Sequence, residues 1–319
     1  MKTNVATKLL LIPLLLVFFA PLGMAQTPAT DATATTSQTK SFAVGEGPEA
    51  VVFDGANIWV ANQFSNTLSK VRVSDGAVLG TFAVGNRPVA LVFDGAYIWV
   101  ANYLSDDVTK LRASDGLTLG TYAVGDGPGG LAFDKTNIWV ANRNSNSVTK
   151  LRASDGLKLG TFVVGNRPLA LAFDGANIWV TNNKSNTVTA LASNGSVLGT
   201  YAVGDGPFGV AFDGANIWVA NFFSKSVMKL AVNGSVVSNV AVGDGPAGIT
   251  FAGGYLWVAN NGSNTVSKLD PAAGTLVGTF AVSRGPFGVV FDGKNIWAAS
   301  MAAGTVSKIS PANSLSAVP

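Results

Sequence analysis

Carboxylates are the first side chains to consider for acid–base or metal chemistry in this sequence, because the chain contains no histidine and no cysteine. Without cysteine there are no disulfides, thiolate metal sites or thiol nucleophiles. Without histidine the commonest general base and metal ligand is missing, and a Ser-His-Asp triad is excluded. The 18 acidic residues are therefore the first candidates for a catalytic or metal-binding site.

Most of the aspartates recur at fixed places in turns. Three groups occupy equivalent positions along the chain: Asp54, Asp94, Asp134, Asp174, Asp213 and Asp292; Asp75, Asp115 and Asp155; and Asp126, Asp205 and Asp244. Aspartate suits turns because its side chain accepts hydrogen bonds from backbone amides nearby. We interpret these residues as turn formers and predict no catalytic residue among them.

Asp106 and Asp107 depart from the repeated pattern and are the better candidates for calcium ligands. However, no loop has the dense spacing of oxygen ligands found in a dedicated calcium site. We favour an ordinary solvated loop, and we predict no metal site and no cofactor. A metal-dependent hydrolase or lyase with carboxylate and asparagine ligands is the alternative.

Two repeated patterns have both a functional and a structural interpretation. Residues 125–130, 204–209 and 243–248 match the glycine pattern of dinucleotide-binding loops, but each leads into a strand rather than a helix. We interpret them as tight turns. A ring of equivalent asparagines could bind a ligand, but we favour hydrogen bonding at the strand ends: Asn62, Asn102, Asn142, Asn182, Asn221 and Asn260.

These residues belong to a repeat that is marked by tryptophan. All seven tryptophans lie in Ile-Trp-Val-Ala-Asn or a close variant, spaced 40, 40, 40, 39, 39 and 40 residues apart. Residues 48–53, 57–61, 67–73 and 78–84 each have the composition of a β-strand and are separated by Gly, Asp and Asn turns. Four strands per period of about 40 residues indicate the blade of a β-propeller.

The repeat therefore predicts an all-β fold, a seven-bladed β-propeller of four-stranded blades. Residues 41–44 match the fourth strand of later units, whereas the last unit ends after its third strand at residues 305–309. We predict that the N-terminal strand completes the last blade and closes the ring, which leaves no exposed edge between blades. In each blade Trp59 and its equivalents should pack against the neighbouring blade.

The motif WVTN at residues 179–182, followed by SNTV at 185–188, resembles the YVTN β-propeller repeat. Its usual continuation, a Val-Gly-x-x-Pro turn and an apolar strand, is also present at residues 203–214. The resemblance covers residues 41–310 and implies an extracytoplasmic or cell-surface propeller. Streptogramin lyases are similar in fold, but that enzyme type relies on histidine and glutamate with magnesium, and this chain has only Glu46 and Glu49 and no histidine.

The termini indicate export. Residues 1–25 are typical of a signal peptide, with Lys2 and Lys8 before an apolar run at residues 9–22. We expect a flexible Thr/Ala-rich linker at 26–40, the propeller at 41–310 and a tail at 311–319. The predicted localisation is extracytoplasmic, with no stable membrane insertion after cleavage. The net charge is +3, and the two leader lysines contribute two of these charges. Because the sequence also has no basic run, we expect no nucleic-acid partner.

The residues that differ between equivalent loops are the candidates for function. In a propeller the loops between blades and the loops after each second strand open on one face. The predicted binding face comprises Phe64, Arg87, Tyr103, Arg143, Arg167, Lys184, Phe222, Phe223 and Arg284. The loops between blades add Glu46, Glu49, Phe208 and Phe287 to the same face.

Aromatic and arginine side chains together are typical of binding surfaces. We therefore predict a secreted, monomeric, non-enzymatic scaffold for an unknown protein, glycan or small ligand. A streptogramin-lyase-like or metal-dependent enzyme and a structural component of the cell envelope are the two alternatives.

Overall fold

The runs of β-branched and aromatic residues in each repeat form strands, and the Gly, Asp and Pro residues between them form turns. The computed structural model describes residues 38–311, in which 28 strands and one 3-10 helix, Met301–Ala303, are present. The predicted signal peptide, and most of the predicted linker and tail, lie outside these residues. No helix in the range 38–311 has the length and apolar character needed to cross a membrane.

The strands form seven four-stranded antiparallel sheets, which we call blades 1 to 7. Blade 1 contains β2 (Pro48–Phe53), β3 (Asn57–Asn62), β4 (Thr67–Arg72) and β5 (Val78–Ala83). Blade 2 contains β6 (Pro88–Phe93), β7 (Tyr97–Asn102), β8 (Asp107–Arg112) and β9 (Thr118–Ala123). Blade 3 contains β10 (Pro128–Phe133), β11 (Asn137–Asn142), β12 (Ser147–Arg152) and β13 (Lys158–Val163). Blade 4 contains β14 (Pro168–Phe173), β15 (Ile178–Asn182), β16 (Thr187–Leu191) and β17 (Val197–Ala202). Blade 5 contains β18 (Pro207–Phe212), β19 (Asn216–Asn221), β20 (Ser226–Ala231) and β21 (Val236–Ala241). Blade 6 contains β22 (Pro246–Ala252), β23 (Tyr255–Asn260), β24 (Thr265–Asp270) and β25 (Thr275–Ala281). Blade 7 contains β26 (Pro286–Phe291), β27 (Ile296–Ser300), β28 (Thr305–Ser310) and, as its fourth strand, β1 (Gln38–Ala43).

The ring is closed by contacts between neighbouring blades and by strand pairing within blade 7. The first strands of successive blades contact one another, and β26 of blade 7 contacts β2 of blade 1. Within blade 7, β1 pairs antiparallel with β28, from Gln38 opposite Ser310 to Ala43 opposite Thr305. The predicted seven-bladed propeller and its closure by the N-terminal strand are confirmed. Strand β1 begins at Gln38, ahead of the predicted boundary at residue 41.

The hydrophobic core lies between blades rather than inside them. Trp59 and Ala61 of blade 1 pack against Ile98 and Val100 of blade 2, as the alternation along the second strand predicts. All seven tryptophans have relative accessibilities of at most 1%. Because each apolar cluster is shared by two blades, a blade on its own would leave half of its core exposed to water.

Each tryptophan also has a polar partner. In six blades the indole N–H donates to the carboxylate of the first aspartate group, as from Trp59 to Asp54, at 2.7–2.8 Å. The same carboxylate accepts backbone amides of its own turn, such as that of Asn57 at 2.6 Å. Blade 6 has Ala252 at this position, and Trp257 donates to its backbone carbonyl at 3.3 Å. The aspartates are turn formers, as predicted, and in addition satisfy a buried indole.

A lysine on the third strand joins neighbouring blades, which the sequence did not lead us to predict. In five blades its ammonium donates to a carbonyl in the turn between the third and fourth strands of the next blade, at 2.6–2.9 Å: Lys70, Lys110, Lys150, Lys229 and Lys308. Each of these ammonium groups also lies 4.8–5.3 Å from the centroid of a tryptophan ring in its own blade. Blade 4 has Ala190 at the same position.

We expect Phe42→Ala to lower the free energy of unfolding by about 2–4 kcal/mol, because the half-buried Phe42 ring packs on Trp297 across the closure. The two ring centroids are 5.7 Å apart. Lys40→Ala, at an exposed position on the same strand, is the matched control and should change stability by less than about 0.5 kcal/mol. Chemical denaturation measures both effects. Equal stability of Phe42→Ala and the unmodified protein would contradict closure through β1.

Candidate binding site at the channel mouth

Repeated polar residues shape the loops on one face of the ring. The Ser65 hydroxyl accepts the backbone amide of Glu46 at 3.0 Å, and the Asn66 side-chain oxygen accepts that of Arg87 at 2.8 Å. Equivalent serines and asparagines make the same bonds around the ring. These bonds fix the loops between blades against the loops after each second strand, so that both open on the face that the sequence predicted.

The ring of asparagines faces the interior of these loops. The Asn62 side-chain amide donates to the hydroxyls of Thr67 and Ser69 at 3.2 and 3.0 Å. The residue is fully buried, and a Cβ on Gly45 would lie 2.6 Å from its side chain. This packing favours a structural role for the asparagines, although the Oδ1 atom is buried without a hydrogen-bond partner in five of them: Asn62, Asn102, Asn182, Asn221 and Asn260.

Asp106 and Asp107 are engaged in the same framework. Asp106 takes the place of Asn66 in blade 2, and its carboxylate accepts the Gly127 amide at 2.8 Å. Asp107 accepts a hydrogen bond from the Asn102 side chain at 2.6 Å, and burial raises the pKa of its carboxyl. Within residues 38–311, no three Asp, Glu, His or Cys side chains converge in a way that could hold a metal ion.

The first strands of the blades surround a central channel that contains a cavity of about 180 Å³. The second residue of each first strand takes six different types in the seven blades: Glu49, Val89, Gly129, Leu169, Phe208, Ala247 and Phe287. Together with the loop residues above them, these side chains form the mouth of the channel. Arginines gather with Tyr103 and Glu49 on the side of blades 1 to 4, and three phenylalanines gather on the side of blades 5 to 7, where the loops also carry Arg284 and the exposed Lys225–Asp244 ion pair.

Arg143 of blade 3 reaches across blade 2 towards Glu49 of blade 1. Its terminal nitrogen Nη2 lies 3.8 Å from Glu49 Oε1, and the two side chains are only 12% and 10% exposed. This course requires glycine at residue 129, because a Cβ there would lie 2.0 Å from Arg143 Nε. Arg143 Nη2 donates to the Gly129 carbonyl at 3.4 Å, and the buried Nε has no hydrogen-bond partner.

Burial dominates the electrostatics of this pair. It raises the pKa of Glu49, although the positive charges of Arg143 and Arg87 act in the opposite direction. Burial also lowers the pKa of Arg143, while Glu49 raises it. The cost of desolvating both charges therefore exceeds the attraction that this loose contact returns.

Three cationic side chains accompany Arg143. Arg143 and Arg87 lie over the Tyr103 ring, with guanidinium carbons 5.3 and 5.0 Å from its centroid, and Arg87 Nε donates to Gln63 at 3.0 Å. Next to them, an open groove of about 590 Å³ is lined by Tyr103, Arg143, Arg167 and Lys184 together with three asparagines. We call Arg87, Tyr103, Arg143, Arg167 and Lys184 the cationic side of the mouth.

Two of these arginines stand where most blades have glycine. Arg87 and Arg167 have φ angles of 57° and 55°, in the left-handed region, and the equivalent residues elsewhere are Gly47, Gly127, Gly206, Gly245 and Gly285. A side chain in this conformation costs about 1–2 kcal/mol relative to the usual backbone geometry. Strained backbone of this kind clusters at functional sites, although Lys135 and Lys225 have the same left-handed conformation elsewhere in this chain.

Phe208, Phe222 and Phe287 form the aromatic side of the mouth. Phe208 meets Phe287 edge to face at a centroid distance of 5.4 Å and lies 6.2 Å from Phe222 in a tilted arrangement. Phe223 packs edge-on against Phe222 at 5.2 Å but is itself 63% exposed. All three members of the aromatic side are half-buried, so each keeps some ring surface free for contact.

The predicted binding face is thus distributed unevenly. Five of its residues form the cationic side, and Phe222 belongs to the aromatic side with Phe223 at its edge. Phe64 is 61% exposed and borders a shallow cleft with Arg87 and Leu104. Arg284 precedes Gly285, so its position corresponds to that of Asn86 rather than Arg87, and its side chain is exposed. The role of these residues in binding stays a prediction.

Known structures provide a comparison for this ring. A streptogramin B lyase structure has a TM-score of 0.77 and 19% identity, covering 89% of this chain and 100% of the other. A catalytically inactive virginiamycin B lyase from Staphylococcus aureus, determined with quinupristin, has a TM-score of 0.76 and 17% identity over 86% and 100% of the two chains. Hydrazine synthase from Kuenenia stuttgartiensis has a TM-score of 0.75 and 19% identity over 89% and 99%.

What these proteins share with the chain is the fold. At identities of 17–19% the likeness does not extend to activity or ligands. No protein-family model matches the sequence, and a search of curated proteins finds no match.

We expect Arg87→Gly and Arg167→Gly to leave the free energy of unfolding unchanged or to raise it by up to about 1 kcal/mol, because glycine relieves the left-handed strain. Lys135→Gly is the matched control, since Lys135 has a φ of 76° in a turn on the opposite face. Urea denaturation measures all three. A loss of several kcal/mol in the arginine variants alone would show that these residues hold the loops together.

We expect Glu49→Gln to gain stability relative to the unmodified protein as the pH rises above 4.5, the ordinary pKa of this carboxyl. Because burial raises the pKa of Glu49, the folded protein keeps a proton that the unfolded chain has lost, and stability falls as the pH rises through the folded value. Denaturation at a series of pH values checks this. Glu46→Gln, at an exposed glutamate, is the control, and a parallel profile for Glu49→Gln would refute the expectation.

Proposed function

We propose that the chain is a non-enzymatic, monomeric binding propeller that acts outside the cytoplasm and takes a small ligand at the mouth of its channel. The observation that carries the proposal is a contrast between two kinds of polar residue. The repeated Ser and Asp side chains of the loops and turns are occupied by bonds within the fold, as at Ser65 and Asp54, whereas five asparagines of the repeated ring keep a buried oxygen without a partner. The non-repeated polar side chains gather at the mouth, where Arg143 keeps a buried donor without a partner.

The shape of the mouth favours a small ligand over a protein or glycan. The cationic and aromatic sides border a concave channel, and ligand pockets typically combine apolar walls with a few placed polar groups. The virginiamycin B lyase structure was determined with quinupristin, which supports the idea that a propeller of this fold can be used with a small molecule. The signal-peptide pattern at residues 1–25 supports action outside the cytoplasm.

A thermal-shift screen of organic acids, amines, sugars and nucleosides tests the proposal. The variant Arg87→Gly/Arg167→Gly/Phe222→Asn/Phe223→Ser should lose the stabilisation that hits give to the unmodified protein. Lys135→Gly, on the opposite face, should retain it. Mass spectrometry of each hit after incubation should show the compound unchanged.

Three results would overturn the proposal. Hits that stabilise the four-residue variant equally would place binding elsewhere on the chain. Chemical conversion of a hit would make the protein an enzyme. A screen in which no class of compound stabilises the unmodified protein would remove the small-ligand function.

A further inference from the structure

We propose that the mouth binds an aromatic carboxylate, whose carboxylate group replaces Glu49 as the partner of Arg143 and whose ring lies on the aromatic side. The inference rests on the proposed function and names the chemical class of the ligand. It is carried by the geometry of Arg143, by the charges around it and by the position of the three phenylalanines.

Arg143 is held in place but poorly satisfied. Its contacts with Glu49 and with the Gly129 carbonyl, at 3.8 and 3.4 Å, are longer than the 2.7–2.9 Å of a well-formed bond between charged groups. Its Nε is buried without any partner. A planar guanidinium with unused donors matches a carboxylate, which can accept two parallel bonds.

The charges around Arg143 favour an added anion. Arg87 and Arg167 are close enough to lower its pKa, and Lys184 lines the adjoining groove. The carboxylates nearby are Glu49, which is buried, the exposed Glu46 and Asp126, and Asp106. Asp126 accepts a hydrogen bond from Asn144 at 3.0 Å, and Asp106 accepts the Gly127 amide at 2.8 Å. Arg167 and Lys184 are exposed and Arg87 is half-buried, so a ligand with one negative charge would pass a cationic rim on its way to the buried Arg143.

A carboxylate suits this site better than a phosphate. The pocket already accommodates the carboxyl group of Glu49 beside Arg143, whereas a dianion would bring a second charge next to Phe208 and Phe287, which line the same cavity. Ring faces and edges left free by the tilted and edge-to-face phenylalanines are suited to another aromatic ring. The two sides together select for a ring joined to a carboxylate.

Glu49 competes with the ligand in this arrangement, which gives the two members of the ion pair opposite effects. Removing the Glu49 charge frees Arg143 for the ligand, so Glu49→Gln should tighten binding. Removing the Arg143 charge leaves the ligand without its partner, so Arg143→Gln should abolish binding. If the pair served only to stabilise the fold, Glu49→Gln and Arg143→Gln would change the affinity for the ligand in the same direction.

Titration calorimetry with phenylacetate and 3-phenylpropionate tests the inference on the full chain. Three matched probes lack features of the ligand. Phenylacetamide lacks the charge, acetate lacks the ring, and inorganic phosphate lacks both the ring and the carboxylate geometry. We expect measurable binding of both aromatic carboxylates and binding of phenylacetamide that is weaker by about tenfold or more, the value of one charged hydrogen bond. Acetate and phosphate should each bind more weakly than phenylacetate.

The variants sharpen the test. Glu49→Gln should bind phenylacetate severalfold more tightly, and Arg143→Gln should lose binding. Gly129→Ala keeps every charge but displaces Arg143, and should weaken binding by about tenfold. The backbone accepts this change, since blade 6 has a fully buried alanine, Ala247, at the equivalent position. Thermal melting of each variant establishes that it is folded.

Several outcomes would overturn the inference, and they differ from those that overturn the proposed function. Equal binding of phenylacetamide and phenylacetate, lost in the four-residue variant, would retain the binding function and reject the carboxylate. Equal binding of phosphate would make the site a simple anion site. Weaker binding of phenylacetate by Glu49→Gln would show that Glu49 attracts the ligand, and unchanged binding by Gly129→Ala would remove Arg143 from the site.

Discussion

The structure depends on the tryptophan of each second strand, whose ring is buried between two blades. Its ring packs on aliphatic side chains of the next blade, as Trp59 does on Ile98 and Val100. Its polar edge is satisfied by an aspartate in the same blade, at 2.8 Å for Asp54. Because the N–H of a buried indole must find a partner, the aspartate recurs with the tryptophan in six blades, and a backbone carbonyl takes its place in blade 6. The core exists only when neighbouring blades meet.

This uniform frame explains why the mouth can carry unfavourable groups. The repeated serines and asparagines hold the loops in place, so a loop tolerates left-handed arginines and a buried Glu49–Arg143 contact of 3.8 Å. Gly129 also contributes to the mouth, because the absence of its side chain provides the space that Arg143 occupies. The fold is thus stabilised by what the blades share, and the chemistry of the mouth comes from what they do not.

The sequence predicts the fold well because every blade repeats the same evidence for it. Seven tryptophans at nearly constant spacing determine the number of blades, and the match between residues 41–44 and later fourth strands predicts the closure. The lysine bonds between blades were missed, because a lysine such as Lys70 on a strand also fits a solvated side chain. The contact between Glu49 and Arg143 could not be predicted, since it skips a blade and depends on the missing Cβ at Gly129. The exposed position of Arg284 follows from a register difference of one residue that composition alone does not reveal.

The joints between blades are not equally strong. Blade 4 has Ala190 in place of the bridging lysine, and blade 6 has Ala252 in place of the aspartate that binds its tryptophan. Blade 7 offers Lys268 of blade 6 no hairpin turn between third and fourth strands, because its fourth strand is β1, and Lys268 lies instead over Tyr255 at 3.6 Å. Blades 5 and 6 are therefore bounded on both sides by a joint without the lysine bond, and Phe208 of blade 5 meets Phe287 of blade 7 at the first strand of blade 6. The phenylalanines therefore lie on the part of the ring where these bonds between blades are incomplete, and the arginines on the part where Lys70, Lys110, Lys150 and Lys308 bridge every joint.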